Sequence, residues 1–135
     1  MSEGIRRIAS GAPWEAVVGY SRAVVAGDRV LVAGTTAVGP DGRLVGEGDP
    51  AAQARQCLEN IRRALEAAGT SLAAVVRTRM YVTDIRHWEA VGRVHGEYFG
   101  EVRPASTLVE VSRLVDPAML VEIEAEAWTG GGAGA

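Results

Sequence analysis

The segment DPAAQARQCLENIRRALEAAG, from Asp49 to Gly69, constrains the fold more than any other stretch of the chain. Asp49 can accept hydrogen bonds from the free N–H groups of a helix's first turn, Pro50 has no N–H to lose there, and Gly69 suits the left-handed exit. Between these ends Ala54, Cys57, Leu58, Ile61, Leu65 and Ala68 recur at three- and four-residue spacing, while Gln53, Arg55, Glu59, Arg62, Arg63 and Glu66 fall mostly elsewhere. One side packs and the other is wet, so this helix needs a surface to bury its stripe against. At 135 residues, 47% of them apolar, the chain has the size and balance of one globular domain with a single core.

A second helix is predicted from about Arg86 to Phe99, with Asp84 as its cap and Ile85, Trp88, Val91, Gly92, His95 and Phe99 along its apolar side. β-Branched runs predict strands around Ser21 to Val25, Arg29 to Ala33, Val75 to Thr83, Thr107 to Leu114 and Leu120 to Trp128. AGD joins the first two as a hairpin turn, and a further short strand is expected around Leu44, beyond the PDG turn at Pro40 to Gly42. Strands, helix, strand, helix, strands is the order of an α+β domain: a mixed sheet of about six strands with both helices packed on one face, since two helices cannot cover both sides. The domain is expected to span residues 1–128, and the glycines of TGGGAGA, 129–135, predict a flexible tail with little to bury.

Side chains alternate along a strand, so Arg77, Arg79 and Tyr81 should share one face while Val76, Thr78, Met80 and Val82 share the other. In the last strand Glu122, Glu124 and Glu126 oppose Val121, Ile123, Ala125 and Ala127. If the small and apolar sets meet the helices, the arginines and glutamates lie together on the uncovered face. They could be cross-strand ion pairs, each worth ~0.2–1 kcal/mol when exposed. Alternatively a neighbouring subunit closes over them, where charges survive only if paired or used, leaving a pocket in which arginine grips a small carboxylate and a glutamate orients water.

The remaining composition narrows the function. A formal net charge of -3 leaves no excess of Lys and Arg to neutralise a phosphate backbone, so no nucleic-acid partner is expected. His87 and His95 with the remote Cys57 have no metal-ligand spacing, and GTTAVGPDG matches neither the dinucleotide fingerprint nor the P-loop, so no metal or other cofactor is expected. Cys57 alone cannot close an intramolecular disulfide and sits on a helix's apolar stripe, where a buried inert thiol is the expectation. MSEGIRRIAS has no hydrophobic signal core and the chain has no membrane-length apolar run, so a cytoplasmic location with no membrane partner is expected. His95 reads as a hydrogen-bonded core residue ahead of a ligand contact, and Trp14 reads equally as a packing anchor or the wall of a pocket.

Four segments, PAAQARQCLENIRRALEAAGTSL, VVRTRMYVTDI, RPASTLVEVSRL and LVEIEAEAW, carry in their order and spacing a resemblance to the RidA (YjgF) family, also called endoribonuclease L-PSP-like. The likeness runs from about Val18 to Ala127. It implies a chorismate-mutase-like fold and a homotrimer, with a small-ligand cleft between neighbouring subunits. It also implies hydrolysis of small enamines or imines with release of ammonia, no cofactor, and a carboxylate-bearing ligand. The family's cleft arginine follows a proline-alanine pair, here Pro104-Ala105, and the next residue is Ser106, which cannot supply a bidentate cationic fork. Tyr20 matches a cleft tyrosine, Gly34 a backbone donor and Glu122 the glutamate that positions water, whereas Gly92 replaces a cleft asparagine and Ala33 a serine. Arg79, with Arg22 as its understudy, could restore the lost positive charge while Glu122 activates water; alternatively Arg79 pairs with an interface glutamate.

The candidate site is therefore Glu122 and Arg79 as catalytic residues, with Tyr20, Arg22, Gly34, His95, Ser106 and Trp14 against the ligand. An enamine or imine deaminase-like hydrolase is the leading expectation. A noncatalytic trimeric binder of a small ligand is the alternative, favoured by the change at Ser106. Endoribonuclease or translation inhibitor, titles attached to some relatives, comes third because the chain is acidic.

Overall fold

In a computed structural model, which describes residues 4–130, the Asp49–Gly69 segment forms helix α1, Pro50–Ala67. The Asp49 carboxylate accepts the Ala52 N–H at 3.1 Å, and Gly69 leaves the helix at φ +91° while the Thr70 N–H donates back to the Leu65 carbonyl. Ala54, Cys57, Leu58, Ile61, Ala64 and Leu65 are buried along one side. Gln53, expected on the wet side, is also wholly buried. Its amide donates to the Gly46 and Ala118 carbonyls and accepts the Leu120 N–H, so its polar atoms are satisfied inside the protein.

The strands are β1 (Ile5–Ile8), β2 (Ala23–Ala26), β3 (Arg29–Thr35), β4 (Val75–Val82), β5 (Ala105–Glu110) and β6 (Val121–Trp128). They form one six-stranded sheet in the order β1-β2-β3-β6-β4-β5, mixed because β4 and β5 run parallel and the other neighbours antiparallel. Helix α2, Trp88–Phe99, packs beside α1 on the same side of the sheet. The core between them takes Val30 and Val32 from β3, Met80 and Val82 from β4, and Val121, Ile123, Ala125 and Ala127 from β6. Thus the alternation of β6 is as expected, with Glu122, Glu124 and Glu126 on the side the helices leave bare.

Several expectations are corrected. The sixth strand is Ile5–Ile8, an edge held by backbone pairing to β2, whereas Leu44 makes only an isolated bridge with Val38. Its side chains are mostly exposed, so no burial pattern announces it. In β4 a bulge between Val75 and Arg77 shifts the phase, burying Val75 and leaving Val76 47% exposed. β5 starts and ends earlier than expected. Ahead of α2, Ile85–His87 form a separate 3₁₀ turn capped by Asp84. That turn advances by three residues where the α-helix advances by 3.6, so Ile85 and Trp88 fall off the stripe and Val91, Val94 and Phe99 carry the burial.

At the C-terminal end, the Thr129 N–H and hydroxyl both donate to the Asp28 carbonyl, and the expected tail beyond Gly130 lies outside the described residues. No described helix is long and apolar enough to cross a membrane.

Candidate functional site

Where β6 begins, Glu122 projects onto the bare face beside β3. The β3–β6 ladder slips between Val32 and Thr35, and Gly34 lies in that irregular stretch. A Cβ at residue 34 would stand 2.2 Å from Glu122 Oε2, so the carboxylate occupies its present position only because residue 34 has no side chain. No described residue hydrogen-bonds the Glu122 carboxylate. Half-burial pushes its proton affinity up, Glu124 adds to this, and the Arg22 guanidinium opposes it.

Arg22 is fixed by its surroundings. One guanidinium nitrogen donates to the Gly34 carbonyl and the Thr35 hydroxyl, both at 3.0 Å, and the other lies 3.5 Å from the Tyr20 hydroxyl. Its centre lies 5.6 Å from the Tyr20 ring centroid. Nε is 3.8 Å from Glu15, a buried carboxylate that also accepts the Ser10 N–H and hydroxyl. Glu15 opens a short π-helical turn, Glu15–Gly19, that the sequence reading missed. Trp14, just before it, is 59% exposed within the single chain.

Further along the same face Arg79 lies 2.9 Å from Glu126 and 3.6 Å from Glu124, while Arg29 reaches the other oxygen of Glu126 at 3.2 Å. The hydrogen bond from Arg79 is the main reason the Glu126 carboxyl is held below its ordinary range. Tyr81 donates to Glu124 at 2.8 Å, which raises the phenol's proton affinity. A hollow of about 490 Å³ opens here, lined by Arg7, Tyr20, Val24, Leu31, Arg79 and Glu126 among others. Such a hollow can admit a small molecule, with Tyr20 joining it to the neighbourhood of Arg22.

His95 and Ser106 lie elsewhere. Thr78 projects to the helix side of β4, where its Oγ1 is 2.8 Å from His95 Nε2 and donates to Ser106 Oγ at 2.8 Å. Thr78 is wholly buried, Ser106 is exposed on the outer strand, and the His95 ring sits 4.7 Å from that of Phe99. The candidate residues therefore separate, within one chain, into Tyr20, Arg22, Gly34, Glu122 and Arg79 on the bare face and His95 with Ser106 on the helix side. The sequence reading missed Thr78, Glu15 and Thr35. A threonine at a core position of an otherwise apolar strand face was the available signal for Thr78.

Cys57 is buried with Sγ 3.8 Å from the Val121 carbonyl, and burial pushes its thiol up, away from the reactive thiolate. Among the described residues no group of three His, Cys, Asp or Glu side chains could hold a metal ion.

Residues 10–129 match the family described as Endoribonuclease L-PSP. A RutC family protein of Pyrococcus horikoshii is 43% identical over 109 residues, which span 81% of this chain and 86% of the relative. A solved member of the YjgF/YER057c/UK114 family from Mycobacterium tuberculosis is 50% identical, with a TM-score of 0.84 over 93% of this chain and 99% of its own. E. coli TdcF, solved with bound serine, is 28% identical, with a TM-score of 0.77 over 93% of this chain and 94% of its own.

Proposed function

Because the chain belongs to the Endoribonuclease L-PSP family, whose relatives also carry the names YjgF and RutC, we propose that it is a cytoplasmic homotrimer that hydrolyses small enamines or imines in the clefts between subunits. In the reaction an enamine first tautomerises to its imine; water adds to the C=N carbon as one of its protons passes to nitrogen, and the hydroxyl proton follows to nitrogen as the C–N bond breaks, giving a carbonyl compound and ammonia. Glu122 is the group that takes the proton from water and returns it to nitrogen. The observation that carries this reading is the Glu122 carboxylate itself: half-buried, laid against Gly34, and joined by no hydrogen bond to a described residue, so both oxygens are free for water. Its raised proton affinity moves it toward neutrality, where a base works best near physiological pH.

Tyr20 and Arg22 form the wall beside Glu122, with the Arg22 guanidinium anchored on the Gly34 carbonyl. Arg79, held by Glu126, lines the hollow next to Tyr20, and exposed Trp14 closes the cleft when a second subunit meets it. Imines generated freshly from a panel of amino acids and amines are the test. Purified protein should accelerate ammonia release, and Glu122→Gln should lose at least tenfold of that acceleration; a panel with no acceleration at all sinks the hydrolase.

A second reading, a trimer that binds a small metabolite without turnover, is favoured by Ser106 standing where the family's arginine is expected. The bound serine of E. coli TdcF supports small-ligand binding in this fold. Melting temperatures raised by a metabolite, without ammonia release, would select this reading. Ribonuclease activity is disfavoured by the net charge of -3, and intact RNA after incubation with nuclease-free protein disposes of it.

A further inference from the structure

The line Ser106–Thr78–His95 is built of uncharged groups, each 2.8 Å from the next, and it runs from an exposed strand to a half-buried helix face. A hydroxyl has one proton to give. When Thr78 donates to Ser106, its own lone pair takes the proton of His95 Nε2–H, and the Ser106 proton is left to point outward. When His95 carries its proton on Nδ1 instead, the line reverses and Ser106 presents lone pairs outward. Burial lowers the proton affinity of His95, which keeps the imidazole neutral and both directions open. The line thus offers either a donor or an acceptor at its exposed end without placing a charge there.

Neither Arg79 nor Arg22 stands in for the missing cation at Ser106. Arg79 is one residue from Thr78 on β4 and therefore faces the other side of the sheet, where it is hydrogen-bonded to Glu126. Arg22 is held by Gly34 and Thr35. Among the described residues the Ser106 hydroxyl has only Thr78 as a hydrogen-bond partner. A carboxylate brought to Ser106 would exchange its water for a single neutral donor, which does not compensate a desolvated charge; a carbonyl or amide loses far less.

We propose that Ser106, with Thr78 and His95 as positioning residues, forms a subsite for an uncharged carbonyl, amide or hydroxyl group of the ligand. The proposal rests on the preceding reading in one respect, that the ligand lies beside Ser106. It replaces the expected carboxylate at this end of the ligand with a neutral polar group.

Isothermal titration of the full-length protein with 2-oxobutanoate and with 2-oxobutanamide compares a carboxylate and an amide on one carbon skeleton. The amide is expected to bind about tenfold more tightly, the size of one well-made hydrogen bond. Ser106→Ala, an exposed change that leaves the core intact, should erase the preference, and Ser106→Arg should reverse it. Thr78→Val keeps the shape of the buried side chain and should also erase the preference, a change in ratio that a purely structural role would not produce. Tighter binding of the keto acid by the unaltered protein, no binding of the amide, or a preference that survives Ser106→Ala overturns the proposal. Because binding is read without turnover, a failed ammonia-release assay would remove the hydrolase reading while leaving this result standing.

Discussion

Glu122 and Glu126 lie four residues apart on one strand, yet their surroundings push their carboxyl groups in opposite directions. For Glu122 the folded pKa lies above the ordinary value of 4.5, so its stability contribution is fully present below that pH and is lost as pH rises through the raised value. Glu122→Gln should therefore melt higher than the parent at pH 7, with the gap closing as the pH falls below about 4. For Glu126 the folded pKa is lowered, first by Arg79, so its contribution is present above the ordinary value and is lost as pH falls through the lowered one. Arg79→Met should narrow that dependence, and melting temperatures followed across the acid range check both signs. A substitution at Gly34 separates chemistry from folding. The new methyl group would meet only the far end of the Glu122 side chain, which can swing away at little cost. Gly34→Ala should thus keep its melting temperature within a few degrees while ammonia release falls at least tenfold, the scale of a displaced general base. Unchanged release would show that the carboxylate's position against Gly34 does not matter.

At the scale of elements, α1 does more than cover the sheet. Through Gln53 it ties the turn at Gly46 to the approach of β6, since the same amide meets Gly46, Ala118 and Leu120. Gln53→Leu keeps the volume and strands two carbonyls and one N–H, so urea unfolding should register a loss of about 2–5 kcal/mol. A loss under about 0.5 kcal/mol would mean that water replaces the side chain freely. Gln53 also shows where sequence reading stops. It lies four residues before Cys57, on the buried side, but its polar side chain masks the position, because only the fold supplies backbone groups for it to satisfy. The capped, amphipathic α1 and the alternation of β6 were legible because each element's own periodicity encodes its buried side. β1 was not, since IRRI is held by main-chain pairing to β2 and leaves its side chains mostly in solvent. Ile85 and Trp88 misled because a 3₁₀ turn breaks the helical phase at the start of α2. In the site, strand alternation identified the face of Glu122 and Arg79, and the family resemblance singled out Tyr20 and Gly34. The partners of Arg22 and the line through Thr78 depend on contacts between distant segments, which no local pattern encodes.

For the whole molecule, the bare face decides whether the proposed trimer exists. It carries Leu31, 40% exposed, directly across from Glu126, with the hollow lined by Val24 and Arg79 alongside. In a lone chain, Leu31→Glu would place two carboxylates opposite each other in water, a repulsion of ~1 kcal/mol or less. Beneath a neighbouring subunit the same pair would lose its water without gaining a cation, because Arg79 and Arg29 already serve Glu126, and the penalty rises to several kcal/mol. The variant should therefore fold with nearly the parent's chain stability but fail to assemble, and sedimentation velocity should show one chain mass where the parent shows three. Ammonia release should vanish with the assembly, since His95 and Ser106 lie on the opposite side of the sheet from Glu122 and only a second copy can bring the two groups to one ligand. A parent protein that sediments as a single chain, or a monomeric Leu31→Glu variant with full activity, would place the complete site within one subunit and end the shared-cleft mechanism.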